Sequence, residues 1–226
     1  MNNIPSTKKR FIGVSFFGYL AVFFGFINLY LNDKLRAEME KTEETGKKKE
    51  KFKEIHERNA LTYEKKTEFI EFKNQINKYR RILLSFAKGK VLETGVGTGR
   101  SLEFYKNDVN EVICVDYSVK MLEQAIEKYE NKEDFRIKHN NIKFTIMDVE
   151  NLGFDDNSFD CVVDFMNLHC YNDYKLVIKN IKTVLKDNGI FIVLARGESD
   201  YFFIKDFYKV FKPFFYLKQG LIFNYN

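Results

Sequence analysis

A strand-like run that ends in three closely spaced glycines constrains the fold of this chain more than any other feature. From Val91 to Arg100 the sequence reads Val-Leu-Glu-Thr-Gly-Val-Gly-Thr-Gly-Arg, and Ser101 follows at the expected start of a helix. Glycine allows the backbone to turn sharply and lets a ligand approach the main chain with no Cβ in the way. The pattern therefore predicts a ligand-binding turn between a strand and a helix.

Strand-like and helical runs alternate after this point, which is typical of a parallel sheet with helices on both faces. The apolar strand-like runs lie at 90–94, 111–116, 142–147, 160–166 and 189–195. Helical spacing occurs at about 99–107, 118–129 and 173–186. The sequence thus predicts an α/β fold with a Rossmann-like, doubly wound sheet.

Two further strands are predicted to end in an acidic residue. Asp116 closes the second strand, and a carboxylate there can accept hydrogen bonds from both hydroxyls of a ribose. Asp148 closes the third. A dinucleotide site would need G-x-G-x-x-G, whereas the spacing here is G-x-G-x-G and Arg100 stands where the last glycine would fall. Glu93 would also repel a pyrophosphate, so a dinucleotide oxidoreductase is disfavoured.

Three motifs together resemble the class I S-adenosylmethionine-dependent methyltransferases. They are the E-x-G-x-G-T-G loop, the acid that ends the second strand, and the phrase D-x-E-N-L-x-F-x-D-N-S-F-D from Asp148, all within about residues 58–200. The resemblance implies a site for S-adenosylmethionine: Glu93, Gly95, Gly97 and Gly99 around the methionine part, Asp116 at the ribose, Tyr117 and Met121 beside the adenine, Asp148 at the adenine amino group, and Asp164 lining the pocket.

A narrower resemblance concerns methyltransferase-like proteins that are tethered to membranes, including a fungal protein of the mitochondrial inner membrane and animal thiol methyltransferases of the endoplasmic reticulum. It is carried by Arg80-Arg81 with Leu84, by residues 164–169 and by residues 190–197. It favours the mitochondrial inner membrane, with the endoplasmic reticulum as the alternative.

The amino-terminal region predicts a single membrane span. Residues 11–31 are 21 uncharged, mostly apolar positions, which as a helix would reach ~30 Å, the thickness of the hydrocarbon core. A cleaved targeting segment is the alternative, although no A-x-A pattern follows. The predicted organisation is a basic segment at 1–10, the span at 11–31, a charged helical linker at 32–57 and a methyltransferase domain at 58–226, with its core at 89–197.

Charge is unevenly distributed along the chain. Residues 1–90 contain 20 Lys and Arg against 11 Asp and Glu, while residues 91–226 contain 17 against 21. A basic front fits a membrane partner and a mildly acidic domain argues against a nucleic-acid partner. Cys114, Cys161 and Cys170 show no spacing typical of metal ligands, so no metal site is expected.

Methyl transfer needs a base only if the acceptor must lose a proton, and His169, after the predicted fourth strand, is the candidate catalytic residue. His56 and His139 lie in charged stretches and are expected in solvent. The stretch 58–88 predicts an amphipathic helix, broken at most once, that packs on the domain through its apolar residues: Phe69, Phe72, Ile76, Tyr79, Ile82, Leu83 and Phe86.

The end of the chain departs from the family pattern. Only 29 residues follow Gly197, so the carboxyl-terminal hairpin of two strands is predicted to be shortened and the fifth strand to form an edge. A protein partner that covers this edge is one expectation. Two functions follow: a membrane-tethered methyltransferase acting on a small, lipophilic molecule, or a scaffold protein that keeps the fold without catalysis.

Overall fold

The computed structural model describes residues 33–131 and 141–195, together with 212, 213, 216 and 217. Its centre is a five-stranded parallel sheet in the order β3-β2-β1-β4-β5. The strands are β1 (Gly89–Thr94), β2 (Val109–Asp116), β3 (Ile142–Ile146), β4 (Phe159–Phe165) and β5 (Leu185–Leu194). The helices are α1 (33–44), α2 (Lys48–Lys73), α3 (Ile76–Leu84), α4 (Val119–Glu130) and α5 (Tyr174–Val184).

Both faces of the sheet are covered, as the alternation of strands and helices predicted. One apolar cluster joins Leu84 of α3 and Leu122 of α4 to Val91 of β1. The other joins Ile181 of α5 to Leu92, the next residue of the same strand. Successive strand side chains point to opposite faces, so strands covered on both sides are apolar throughout. The predicted Rossmann-like fold is confirmed.

The predicted helix at 99–107 is wrong. The chain forms turns there and a single short 3₁₀ helix at Leu102–Phe104. Gly97 and Gly99 take φ angles of 56° and 73°, which lie in the left-handed region and do not continue a right-handed helix. The glycines that shape the turn therefore also delay the helical segment after it.

The stretch between 48 and 88 folds as two helices, and the break falls at Gln75, whose φ of 54° is left-handed. The helix α2 continues across residue 58, where the sequence placed the boundary between linker and domain. The prediction that the aromatic residues pack inward is wrong: Phe69 and Phe72 are exposed, and Glu71 and Arg80 are buried instead. Ion pairs described below explain this orientation.

Several predicted features lie outside the described residues, namely the basic segment, the span at 11–31, His139 and most of the carboxyl-terminal region. Within the ranges given above, no helix is long and apolar enough to cross a membrane. Tyr216 and Leu217 are described, and they pack with Phe52 and Ile55 of α2. The rings of Phe52 and Tyr216 lie 5.0 Å apart in an edge-to-face arrangement.

Candidate functional site

A cavity of about 450 Å³ lies at the carboxyl ends of the strands. Its volume falls in the range of small-molecule pockets, and its position matches the rule that open α/β sheets bind ligands where the strand order reverses, here between β1 and β4. Gly95 and Gly97 after β1, Asp116 after β2, Asp148 after β3 and the segment 166–172 after β4 contribute to its wall.

The glycine turn is shaped for close contact. Gly95 has a φ of 61°, and a Cβ there would lie 2.7 Å from the side chain of Asn167. The Asn167 amide in turn donates hydrogen bonds to the carbonyl oxygens of Thr94 (3.0 Å) and Gly95 (2.9 Å). At Gly97 a Cβ would meet nothing within 4 Å, so its open side can receive a ligand.

Gly99 serves a different purpose from the one predicted. A Cβ at this position would lie 2.9 Å from Leu102 and 3.2 Å from the Cβ of Ala125. Gly99 does not line the cavity. This glycine is therefore required for packing of the turn against α4, and the structure does not place it against a ligand.

Asp116 is buried at the tip of β2 and lines the cavity. Its Oδ2 accepts a hydrogen bond from the backbone N–H of Gly97 (2.8 Å), and its Oδ1 accepts one from Ser118 (2.9 Å). Burial raises its pKa to about 6, against the lowering effect of these backbone donors. Each oxygen keeps a further lone pair, so additional donors such as sugar hydroxyls would stabilise the charged form.

Tyr117 and Met121 line the cavity beside Asp116. His56 of α2 lies in the same wall, and its Nδ1 is 2.6 Å from the hydroxyl of Tyr117. Burial lowers the pKa of His56 to about 4, so the imidazole is neutral at physiological pH. The expectation that His56 is a solvated residue is wrong, because α2 covers the site.

Asp148 occupies the β3 side of the cavity. Its Oδ1 accepts the backbone N–H of Glu150 (3.0 Å) and so caps the 3₁₀ helix Val149–Asn151. Its Oδ2 pairs with the ammonium group of Lys49, which also lies 3.0 Å from Glu150. The predicted adenine contact is therefore close to a cation that the sequence did not associate with it.

Two predicted cofactor residues lie beneath the cavity and do not line it. Glu93 is buried, accepts a hydrogen bond from the hydroxyl of Tyr105 (2.9 Å), and has its pKa raised to about 7 by burial. Asp164 accepts hydrogen bonds from the hydroxyls of Thr94 (2.9 Å) and Tyr171 (2.6 Å), and burial raises its pKa to about 6. Asp164 therefore supports Tyr171, which lines the cavity, whereas Glu93 is held by Tyr105, which does not.

The segment after β4 forms the remaining side. Met166 has a φ of 64°, an uncommon conformation for a residue with a side chain, and such positions often occur at functional sites. His169 is buried and lines the cavity together with Cys170 and Tyr171. The structure thus places the predicted base at the edge of the site next to β4.

A whole face of α2 closes the cavity, and the sequence analysis missed it. The lining residues recur at helical spacing: Lys49, Phe52, His56, Asn59, Tyr63, Lys66, Thr67 and Ile70. These residues include basic, polar and aromatic side chains, so they do not form the apolar stripe that predicts a buried helix face. Their spacing of three and four residues was the available signal.

Acidic side chains of α2 fix the helix to the domain, and one of them, Glu71, also lines the cavity. Glu57 accepts the first N–H groups of α4, from Val119 (2.7 Å) and Lys120 (3.1 Å). Glu64 accepts hydrogen bonds from Thr98 (2.5 Å) and Lys128 (2.7 Å), and it also pairs with Arg100. Glu71 forms a two-pronged pair with the buried Arg80, at 2.6 and 2.9 Å.

The cavity fits S-adenosylmethionine on three observations. Gly97 has open space where a side chain would stand, Asp116 offers a buried acceptor for a ribose, and Tyr117 with Met121 offers an aromatic and a thioether surface for an adenine ring. Among the residues that the structure describes, no group of three or more His, Cys, Asp or Glu could hold a metal ion.

Comparisons with known proteins agree with this geometry. A family model described as a methyltransferase domain matches residues 92–193. A demethylmenaquinone methyltransferase of Staphylococcus saprophyticus is 27% identical over 182 residues, which are 78% of this chain and 75% of that protein. The same enzyme of Staphylococcus aureus is 27% identical over 172 residues, or 74% of this chain and 68% of that one.

Solved structures share the fold. The complex of the Haloferax volcanii Trm112 methyltransferase activator with a methyltransferase matches with a TM-score of 0.55 and 20% identity, over 68% of this chain and 66% of the other. The YcgJ protein of Bacillus subtilis matches with a TM-score of 0.50 and 23% identity, over 57% of this chain and 56% of the other. This chain therefore spans little more than half the length of the second protein.

Proposed function

We propose that this chain, which is a class I S-adenosylmethionine-dependent methyltransferase, transfers a methyl group to a small lipophilic acceptor, and that it does so at a membrane. The observation that carries the proposal is the division of one cavity along the sheet edge. Groups suited to the cofactor follow β1, β2 and β3, whereas His169 and Tyr171 follow β4. Neighbouring strands lie ~4.8 Å apart, so β3 and β4 are separated by roughly 14 Å, enough for a cofactor and an adjoining acceptor.

S-adenosylmethionine supplies a methyl carbon that its sulfonium already activates. The chain therefore contributes alignment and exclusion of water, and alignment alone can lower a barrier by ~7–11 kcal/mol. Asn167 holds the glycine turn through two main-chain carbonyls, and Tyr171 is held by Asp164. These contacts fix the two sides of the cavity relative to each other before a ligand binds.

His169 is proposed to take up the proton that a hydroxylated acceptor loses. The acceptor atom forms its bond to the methyl carbon as the carbon–sulfur bond breaks, and the electron pair of that bond stays on the departing sulfur. The proton goes to the imidazole of His169. Its burial on the β4 side of the cavity supports this role, since a base must lie within hydrogen-bonding reach of the proton it removes.

The character of the acceptor is supported by the relatives and by the wall of α2. The relatives are named for demethylmenaquinone, a lipophilic quinone. In this chain Phe52, Tyr63 and Ile70 give the cavity an apolar and aromatic side. A ring-shaped, lipophilic acceptor of the quinol type would fit between this side and the segment after β4.

The membrane part of the proposal rests on the apolar run at 11–31. A single span there would keep the domain beside the bilayer in which such an acceptor dissolves. The resemblance to membrane-tethered methyltransferase-like proteins favours the mitochondrial inner membrane, with the endoplasmic reticulum as the alternative, and both stay predictions.

The test uses the full chain, purified in detergent, and the Asp116→Asn variant. Titration of S-adenosylhomocysteine should give micromolar binding that weakens about 10- to 100-fold in the variant, because a hydrogen bond to a charged group contributes about 1.5–3 kcal/mol. Asp156→Asn, at an exposed position after β3, is the matched control. Unchanged affinity in Asp116→Asn would overturn the assignment of the site.

Transfer is tested separately, with labelled S-adenosylmethionine and a demethylated quinol in the same detergent. Labelled product that disappears in His169→Ala but not in the control would support the acceptor and the base. Cofactor binding without transfer to any quinol would overturn the acceptor class. A folded chain that binds no S-adenosylhomocysteine would favour the scaffold function instead.

A further inference from the structure

One surface of α2 and α3 is apolar and exposed although no described residue covers it. We call it the outer face, and it consists of Leu61, Phe69 and Phe72 of α2 together with Tyr79, Ile82 and Phe86 of α3 and its end. Leu61 is 77% exposed and Phe72 is 80% exposed. Scattered exposed apolar residues are common, but a row at helical spacing on two successive helices points to an interaction surface.

The exposed charges that α2 and α3 place around the outer face are mostly positive. Two exposed acids of the segment before β2 lie beside it, Glu103 near Phe72 and Lys78, and Asp108 near Arg81. Between residues 61 and 88, one exposed residue is acidic, Glu68. The exposed basic residues in that range are Lys65, Lys66, Lys73, Lys78, Arg81 and Lys88. Of the other acids of this stretch, Glu71 is buried and pairs with Arg80, and the half-buried Glu64 pairs with Arg100. The fold therefore separates the charges and leaves a basic rim on an apolar surface.

We propose that the outer face lies on the surface of a bilayer that contains anionic lipids. A helix with large apolar side chains on one side and lysines around them binds in the headgroup region, where each basic residue contributes about 1 kcal/mol near an anionic surface. The ammonium group of Lys73 already lies 5.6 Å from the ring centre of Phe69. Such a lysine can reach the headgroups while its aromatic neighbour enters the lipid.

The position of the outer face connects it with the cavity. Lys66 and Ile70 line the cavity and are also exposed, and Phe69 of the outer face lies between them in the sequence. Docking would therefore hold the open part of the cavity close to the lipid. This step rests on the proposed function, since it gives a lipophilic acceptor a path from the bilayer to the site without crossing water.

The chain contains no tryptophan, so single tryptophans report on chosen positions. The full chain with Phe69→Trp or Phe72→Trp is reconstituted into vesicles of phosphatidylcholine and phosphatidylserine with brominated acyl chains, which quench tryptophan on contact. We expect strong quenching of both variants. Ile178→Trp is the matched control, because Ile178 is exposed on α5, across the sheet from α3 and α4, and should keep its emission.

The electrostatic part is tested by reversing three charges of the rim in the Phe69→Trp background, Lys65→Glu, Lys73→Glu and Lys78→Glu. We expect quenching to fall several-fold in the charge-reversed protein. The Phe69→Trp protein with its lysines unchanged should show an equal fall in vesicles of phosphatidylcholine alone. Quenching that survives both changes would overturn the role of anionic lipids. If tryptophans at positions 69, 72 and 178 were quenched to the same extent in vesicles that carry the reconstituted chain, the docking itself would be overturned.

Other occupants give different signals. If a second copy or the carboxyl-terminal residues covered the outer face, the tryptophan emission would be blue-shifted without vesicles and unaffected by bromine, which would overturn the proposal. Binding of S-adenosylhomocysteine in detergent is measured on the same variants. A chain that binds the ligand but shows no quenching would refute docking and leave the proposed function intact. Quenching without ligand binding would refute the proposed function and leave docking intact.

Discussion

The cavity has two walls that are built in different ways. The strand-end wall comprises the glycine turn, Asp116, Tyr117 and Asp148, which lie at or just beyond the carboxyl ends of β1, β2 and β3. The α2 wall comprises the face of α2 from Lys49 to Ile70. The strand-end wall is shaped by backbone geometry and main-chain hydrogen bonds, whereas the α2 wall is held in place by charged side chains that pair with residues of other elements.

This difference shows which parts of the site depend on which interactions. Asp116 is fixed by the N–H group of Gly97, in the turn after the adjacent strand β1, and by that of Ser118, two residues further along the chain. The α2 wall depends on Glu64 and Glu71 pairing with arginines and on Lys49 pairing with Asp148. We therefore expect the α2 wall to loosen under changes of single charges that leave the strand-end wall intact.

The largest effect should follow Glu71→Ala, which removes the partner of the buried Arg80. Breaking a buried ion pair by deleting one member destabilises a protein by about 3–5 kcal/mol, because an uncompensated charge stays buried. Chemical denaturation should show a loss of this size. Glu68→Ala, at an exposed position one turn away, is the control and should change the free energy of unfolding by less than about 0.5 kcal/mol.

Hydrogen exchange on Glu71→Ala would sharpen the comparison. Amides of α2 should lose protection while those of β1, β2 and β4 keep it. Equal loss of protection in α2 and in the sheet would show that the two walls form one cooperative unit and would refute the distinction.

The second effect concerns Glu93, beneath the strand-end wall. Burial raises its pKa to about 7 from an unfolded value near ~4.3, so its contribution to stability is present below about pH 4 and is lost as the pH rises through 7. Glu93→Gln removes this loss and should raise the stability of the ligand-free chain at pH 8 by up to about 3 kcal/mol. Melting temperatures between pH 5 and 8 provide the measurement.

A residual slope should persist below pH 6 in Glu93→Gln, since burial also raises the pKa values of Asp116 and Asp164 to about 6. Arg80, the partner of Glu71, also acts to lower the pKa of Glu93, so Glu71→Ala and Glu93→Gln share a charged neighbour and their effects should depart from additivity. A pH profile identical to that of the unmodified chain would show that Glu93 is charged in the folded state throughout this range.

The strand-end wall was predictable because its signals are local. The glycine turn, Asp116 and Asp148 each follow an apolar run, and parallel strands bring such ends together. Tyr117 and Met121 follow Asp116 in the chain and line the same cavity, and their contact with an adenine stays a prediction. Glu93 and Asp164 were misplaced, since the sequence gives their position in a strand but not the hydroxyls of Tyr105 and Tyr171 that hold their carboxylates below the cavity.

The α2 wall was not predictable from the same rules. The charges of residues 32–57 suggested a solvated linker, yet Lys49 pairs with Asp148 and Glu57 accepts the first N–H groups of α4. The spacing of the aromatic residues predicted that Phe69 and Phe72 face the domain. In the structure both are exposed, and Glu71 is buried against the domain instead. A search for charges at seven-residue spacing would have found Glu57, Glu64 and Glu71, which all face the domain.

A third test measures one of the direct contacts between the two walls, the bond between His56 and Tyr117. A double-mutant cycle with His56→Phe and Tyr117→Phe should give a coupling free energy of about 1 kcal/mol, the usual size for a neutral hydrogen bond. The pKa of His56 is lowered to about 4, so the coupling should be constant between pH 6 and 8. A coupling that changes across this range would show that the imidazole titrates there.

The smallest effect is expected at Lys49, which links the α2 wall to Asp148 and Glu150. The side chains of Lys49 and Asp148 are about a third exposed, and exposed ion pairs contribute about 0–1 kcal/mol. Lys49→Met should therefore lower the free energy of unfolding by less than about 1 kcal/mol, and the difference should vanish at 1 M salt because the screening length falls to about 3 Å. Lys53→Met, on the exposed side of the same helix, is the control. A larger loss that salt does not remove would mean that Lys49 positions the strand-end wall, and that the two walls are not held separately.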